Sequence, residues 1–185
     1  MYFWKKQKSM YKSLLLLIAA GLAFLLVQCK AKPHPALGIG DPVPDIVLYN
    51  QNNEQIHIKD YIGKNSLVIY FYPKDDTPGC TKEACKFRDE FEVFTNLHAK
   101  VFGISSDDVA SHKAFADKYH LSFSLLSDKD NKVRKRFGVP SFGAGLIPGR
   151  VTYIIDKKGV IRYVFNSMKH PEEHIDKAIE ILKSF

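Results

Sequence analysis

Runs of apolar residues along the chain predict a series of strands and helices that starts near residue 46. The most apolar of them, residues 66–72, is β-branched and aromatic almost throughout, which is typical of a strand buried on both faces. Between residues 84 and 97, apolar side chains recur every three or four positions, which predicts one long amphipathic helix. The same patterns predict further strands at 46–49, 55–58, 100–105, 123–126, 151–156 and 160–166, and further helices at 108–120, 132–137 and 175–182.

The order of these elements determines the predicted fold class. Strand–helix–strand–helix units come first, and a hairpin closed by Lys157-Lys158-Gly159 and a terminal helix follow them. Such an order is typical of an α/β protein in which helices cover both faces of a central sheet. The sequence therefore predicts an α/β three-layer sandwich.

The first 28 residues have a different character from the rest. Lysines precede an uncharged apolar run at 13–28, which would span about 24 Å as a helix and is short for a membrane of about 30 Å. This pattern predicts a signal peptide or membrane anchor at 1–28. Residues 26–29 resemble a bacterial lipobox in which Cys29 is lipidated, although Gln28 departs from that pattern. We expect an exported, membrane-anchored bacterial protein on the periplasmic or cell-surface side.

Composition limits what the remainder of the chain does. The 185 residues carry a net charge of +7, but four lysines and no acidic residue lie before residue 29, and the later charges are mixed in sign. This distribution argues against a nucleic-acid-binding surface. Residues 29–44, rich in proline, glycine and alanine, predict a tether, and residues 38–185 predict one globular domain.

The segment from Pro73 to Cys85 contains the most informative chemistry. Thr77 is a favoured N-cap and Pro78 is favoured at the first helical position, which places Cys80 third in a helix. There a sulfur would face free backbone amides and the positive end of the helix dipole, which favour the nucleophilic thiolate. An ordinary capped helix that happens to contain a cysteine is the simpler alternative.

Cys85 follows Cys80 by five residues. In an intact helix their Cα atoms would be roughly 8–9 Å apart, whereas a disulfide needs less than about 7 Å. The two cysteines could therefore bond only after the helix start unwinds. A purely structural disulfide and a zinc site are less favoured alternatives, since zinc typically takes four ligands.

The motif Pro73-x-x-x-Thr77-x-x-Cys80, within DTPGCTKEAC, resembles the peroxiredoxin superfamily and in particular its bacterioferritin-comigratory or Q-type subfamily. The resemblance continues through 86–89, 103–105 and 150–156, and covers roughly residues 38–185. It implies a thioredoxin-like fold with a central mixed sheet. It also implies that Cys80 is the peroxidatic cysteine and Cys85 the resolving one, with Pro73, Thr77 and Arg150 completing the active site.

The activity that the resemblance implies is reduction of hydrogen peroxide and organic hydroperoxides. Cys80 would become a sulfenic acid and then form an intramolecular disulfide with Cys85, which thioredoxin or a similar dithiol would reduce. No metal, haem or flavin cofactor is required, and an intramolecular resolving cysteine favours a monomer. The N-terminal segment makes a membrane the other predicted partner. Glu83 is interpreted as a surface carboxylate that complements the helix dipole, and the histidines as structural or surface residues.

Two other functions remain open from the sequence. A membrane-tethered copper chaperone of the same fold carries a cysteine pair after its first core strand, but with three intervening residues instead of the four found here. A redox-sensing module would use the pair only to switch conformation. Turnover of peroxide with a recycling dithiol would distinguish an enzyme from both.

Overall fold

A seven-stranded mixed sheet forms the centre of the protein, which the computed structural model describes for residues 36–185. The strands lie in the order β2-β1-β5-β4-β3-β8-β9, with β3, β4 and β5 parallel and the other neighbours antiparallel. The strands are β1 Val47–Asn50, β2 Gln55–His57, β3 Ser66–Phe71, β4 Ala99–Ser105, β5 Ser124–Ser127, β6 Ser141–Phe142, β7 Ile147–Pro148, β8 Val151–Ile155 and β9 Ile161–Asn166.

Between residues 36 and 185, five α-helices cover this sheet. They are α1 Pro78–Asp89, α2 Phe91–Asn96, α3 Val109–Tyr119, α4 Lys132–Phe137 and α5 Glu173–Leu182, and a short 3₁₀ helix spans Ile58–Tyr61. Side chains of α1, α2, α3 and α5 pack on one face, while α4 and the 3₁₀ helix contribute to the core on the other. The predicted three-layer α/β sandwich is therefore confirmed.

Strand β3 shows why its sequence is continuously apolar. Its side chains alternate between the two cores, with Tyr70 on the face of α1 and Phe71 on the face of α4. All six residues are buried because each face of the sheet is covered. The strand thus contributes to the core on both faces of the sheet, and packing on both faces holds its carboxyl end in place.

One local prediction was wrong. The single helix expected between residues 84 and 97 is divided at Glu90, which has φ −94° and ψ 12° and separates α1 from α2. The change of direction lets the rings of Phe87 and Phe94 pack 5.6 Å apart in the same core. The glycine- and proline-rich segment before Arg150 also contains an unpredicted two-stranded hairpin, β6–β7.

Helix α1 is held on the sheet mainly through Tyr70. The ring of Tyr70 stacks on that of Phe87 in α1, with centroids 4.6 Å apart. On β4, Gly103 lies directly opposite Tyr70 and leaves the space that the ring occupies. At its far end, α1 is tied to α3 by a hydrogen bond of 2.7 Å from Arg88 Nη1 to the carbonyl oxygen of Tyr119.

We expect Gly103→Ala to destabilise the protein by roughly 1–3 kcal/mol, because such overpacking forces neighbours out of their rotamers. The added Cβ would lie 2.7 Å from the Tyr70 ring and 2.8 Å from Leu125. Urea unfolding measures the change in free energy. Gly38→Ala is the matched control, since no atom lies within 4 Å of its Cβ position. Equal effects of the two substitutions would contradict this account of the packing.

Candidate active site

The loop that follows β3 is fixed by a buried carboxylate. Asp75 accepts hydrogen bonds from the hydroxyls of Tyr72, at 2.7 Å, and Ser111, at 2.8 Å. It also accepts one of 2.9 Å from Nδ1 of His112, a fully buried residue of α3. Two of these three donors, Ser111 and His112, belong to the first turn of α3, so the loop is anchored to that helix.

The next residue extends this attachment. Asp76 has a φ of 54°, in the left-handed region that aspartate tolerates better than most residues. Its carboxylate accepts hydrogen bonds from Lys118 Nζ, at 2.6 Å, and from the Tyr119 hydroxyl, at 2.7 Å. These bonds hold the turn that leads into α1.

Helix α1 begins as its sequence predicts, with Thr77 at the N-cap, Pro78 first and Cys80 third. The side chain of Thr77 makes no capping bond, however, and its hydroxyl donates to the carbonyl oxygen of Lys74 at 3.1 Å. Within residues 36–185, none of its hydrogen bonds reaches Cys80. A backbone bond of 2.8 Å from Thr81 N to the Thr77 carbonyl closes the first turn.

Arg150 lies beside Cys80 because of the register between two strands. Strands β3 and β8 are antiparallel and pair Phe71 with Val151, so that the residue before β8 lies where β3 ends. The guanidinium of Arg150 is buried and donates from Nη2 to the Cys80 sulfur at 3.3 Å. Gly79 leaves room for it, since a Cβ there would lie 3.2 Å from Nη2.

Glu83 is also part of this site, so the prediction of a surface carboxylate was wrong. The residue is fully buried, one helical turn after Cys80, and Arg150 Nη1 donates to its Oε2. Burial raises the pKa of Glu83 to about 8, and the neighbouring Arg150 offsets only part of that rise. Three-residue spacing on one helix face is the sequence signal that could have identified it.

His174 of α5 closes the site behind Glu83. Its Nε2 donates to the carbonyl oxygen of Ser167 at 2.9 Å, so Nδ1 of the neutral ring accepts the bond of 2.7 Å from the Thr152 hydroxyl. Glu83 Oε1 lies 3.7 Å from that Nδ1 and has no hydrogen-bond partner among the described residues. Burial lowers the pKa of His174 to about 4, despite the bond to Ser167.

The remaining candidate residues lie around this centre. Cys85 is a free, half-buried thiol in the same intact helix as Cys80. Pro73 and Thr77 line an open groove of about 550 Å³, whose other wall includes Leu146 of the β6–β7 hairpin. Cys29 lies outside the described residues. A sulfur in contact with a fixed cationic donor, close to a groove, is suited to nucleophilic thiol chemistry.

Comparison with known proteins agrees with this chemistry. The family model described as "AhpC/TSA family" matches residues 39–164. A chloroplastic Peroxiredoxin Q of Populus jackii is 50% identical over 78% of this chain and 68% of its own. The structure of peroxidoxin BcpB from Mycobacterium tuberculosis superposes with a TM-score of 0.75 and 34% identity, over 80% of this chain and 98% of its own.

A further solved structure is that of the bacterioferritin comigratory protein of Xanthomonas campestris. It superposes with a TM-score of 0.72 and 31% identity, over 80% of this chain and 96% of its own, and it is described as having alkyl peroxide reduction activity. Fold, site and similarity together define a thiol peroxidase, an oxidoreductase with a thioredoxin-like fold. The chain belongs to the AhpC/TSA family.

The predicted location is corrected by the same comparisons. An exported, membrane-anchored bacterial protein was expected, but the similar curated proteins, that of Populus jackii among them, are plant proteins described as chloroplastic. In the range 36–185, no helix is both long and apolar enough to cross a membrane. A signal peptide, a lipid anchor and a membrane partner therefore find no support, and the segment on which they were predicted lies outside the described residues.

We expect His174 to make the protein acid-sensitive between pH 6.5 and 4. Its folded-state pKa is depressed, so the unfolded chain binds more protons in this window and stability is lost as the pH falls. The shift corresponds to at most about 3 kcal/mol. Urea unfolding at pH 7 and pH 4.5 should show a smaller pH effect for His174→Gln than for wild type. The exposed His98 supplies the control: His98→Gln should behave as wild type, and an unchanged pH effect in His174→Gln would contradict the assignment.

Proposed function

We propose that Cys80 attacks the peroxide and that Cys85 of the same chain resolves the product. The observation that carries this proposal is the hydrogen bond of 3.3 Å from Arg150 Nη2 to the Cys80 sulfur, made at the start of α1. A thiolate is the nucleophilic form of cysteine, and a guanidinium donor together with a helix start stabilises an anion at that position.

In the first step the Cys80 thiolate attacks one oxygen of the hydroperoxide. The S–O bond forms as the O–O bond breaks, sulfur is oxidised by two electrons, and the second oxygen leaves as an alkoxide or hydroxide that takes up a proton. Arg150 has fixed donors with which to stabilise the charge that moves onto that oxygen. Thr77, which lines the groove and precedes Cys80 by three residues, would orient the bound peroxide.

The groove beside Pro73 and Thr77 supports hydroperoxides as the substrates. It is open, and its lining includes Thr77, the residue at the start of α1 that precedes Cys80 by three positions. The similar protein of Xanthomonas campestris is described as having alkyl peroxide reduction activity. We extend this substrate class, together with hydrogen peroxide, to the present chain, with Pro73 shaping the wall of the site.

The second step joins Cys85 to the Cys80 sulfenic acid and releases water. Because both cysteines lie in α1 and are roughly 8–9 Å apart at their Cα atoms, the helix start has to unwind first. An external dithiol of the thioredoxin type then reduces the disulfide by exchange. The chain resolves its own sulfenic acid in this scheme and has no need of a second subunit.

The copper chaperone and the redox-sensing module are not favoured. The family and the similar structures are those of peroxidases. Arg150, a cation held against the Cys80 sulfur, would also disfavour a bound copper ion at that atom by charge repulsion.

We expect Cys80→Ser to abolish peroxide reduction and Cys85→Ser to allow about one turnover, leaving sulfenic acid on Cys80. Mass spectrometry after one equivalent of hydrogen peroxide should show one added oxygen in Cys85→Ser and none on residue 80 of Cys80→Ser. Cys29→Ser is the matched control and should cycle as wild type. Equal loss of the first turnover in the Cys80 and Cys85 variants would reverse or remove these roles.

Oxidation should loosen the start of α1 while its end stays in place. We expect amides of residues 79–86 to exchange with solvent faster in the disulfide form than in the reduced form. Those of α2 should change little, because Phe87 is stacked on Tyr70 and Arg88 is bonded to the carbonyl of Tyr119. Hydrogen exchange with mass spectrometry measures both segments, and peroxide-treated Cys85→Ser is the control without a disulfide. Identical protection in both forms would exclude Cys85 as the intramolecular resolving residue.

A further inference from the structure

Two acidic groups share one buried cation in this site. Arg150 donates from Nη2 to the Cys80 sulfur and from Nη1 to Glu83 Oε2, and the arginine, the cysteine and the glutamate are all buried. Within the part of the chain that the structure describes, no second cationic side chain is bonded to either acid. A buried anion without a partner is costly, so one cation suits one negative charge.

The other groups that face Glu83 also favour its neutral form. From α5, His174 lies 3.7 Å from Oε1 through the Nδ1 of a neutral ring, which accepts a bond from Thr152 and has no proton to donate to a carboxylate. From β3, the buried hydroxyl of Tyr70 has no hydrogen-bond partner among the described residues, so it donates no bond that would stabilise a Glu83 carboxylate. The raised pKa of Glu83, caused mainly by burial, agrees with this arrangement.

We propose that Glu83 is a charge-compensating positioning residue: Cys80 and Glu83 hold one proton between them, and that proton is given up when Cys80 is oxidised. The proposal rests on the proposed role of Cys80. While Cys80 is a thiolate, Glu83 is protonated and the positive charge of Arg150 is paired with the sulfur. Once the sulfur becomes a neutral sulfenic acid, Arg150 has lost its anion, and Glu83 ionises to replace it.

The reaction is then balanced without a proton from outside. The pair of acids enters the step with one proton and one negative charge. The O–O bond of the hydroperoxide breaks, the S–O bond forms, and the alkoxide gains the proton that Glu83 loses, either directly or relayed through water. The products are the sulfenic acid, the alcohol and the Glu83 carboxylate, and the charge of the site is unchanged.

Proton uptake during a single turnover tests the proposal. Full-length Cys85→Ser is mixed with one equivalent of hydrogen peroxide in weakly buffered solution containing a pH indicator. At pH 7 we expect uptake close to zero protons per Cys80 oxidised, and close to one in Cys85→Ser with Glu83→Gln, which has no proton to release. Cys85→Ser with Glu92→Gln, an exposed position in α2, is the matched control and should also give zero.

The Cys85→Ser protein supplies a second measurement that does not depend on a buried substitution. As the pH is raised through about 8, Glu83 has already lost its proton before the reaction, so the proton uptake should rise from near zero towards one. The proposal is overturned if the number of protons taken up per Cys80 oxidised is the same with and without Glu83. It is also overturned if that number does not change with pH in Cys85→Ser. Mass spectrometry of the same samples separates the two hypotheses: if Cys80 gains no oxygen, the proposed function itself fails.

Discussion

The buried guanidinium of Arg150 is the interaction on which the rest of the site depends. It donates a hydrogen bond to Cys80 through one nitrogen and to Glu83 through another. Both buried acidic groups therefore depend on the same cation. Without Arg150, Glu83 would be a carboxyl group enclosed by His174 and the core, and the Cys80 sulfur would be a buried thiol among apolar side chains. Burial makes the arrangement demanding, because a charge with 3% exposure has little water to replace a lost partner.

The backbone brings this cation to its place by simple means. Antiparallel pairing of β3 with β8 sets Arg150 at the end of β3, and the loop from that strand turns directly into α1. Asp75 and Asp76 attach the loop to α3, while Phe87 attaches α1 to Tyr70 on the sheet. The loop and the body of the helix are therefore held from outside, and the first turn of α1 lies between two fixed points.

Local patterns were sufficient to predict much of this structure. Strand β3, the hairpin of β8 and β9, and the position of Cys80 as the third residue of its helix follow from periodicity and capping preferences. The division of α1 from α2 at Glu90 did not follow, since the apolar spacing continues across it and tertiary packing decides the direction of each helix. Glu83 was misjudged for a similar reason: a glutamate on a helix is usually exposed, and only the partner Arg150, 67 residues away, makes its burial tolerable. His174 is further still from Cys80 in sequence, and no spacing rule connects them.

The position of both cysteines in one helix has a thermodynamic consequence. If the disulfide forms only when the start of α1 unwinds, the free energy of that local unfolding destabilises the oxidised state relative to the reduced state. The helix start refolds on reduction. The two-electron reduction potential of the cysteine pair is then raised by about 30 mV for every 1.4 kcal/mol of helix lost. Residues that never touch the substrate, such as Pro78 and Thr81 in the first turn, would in this way adjust how readily a dithiol regenerates the enzyme. The stability of one helical turn becomes a determinant of redox poise.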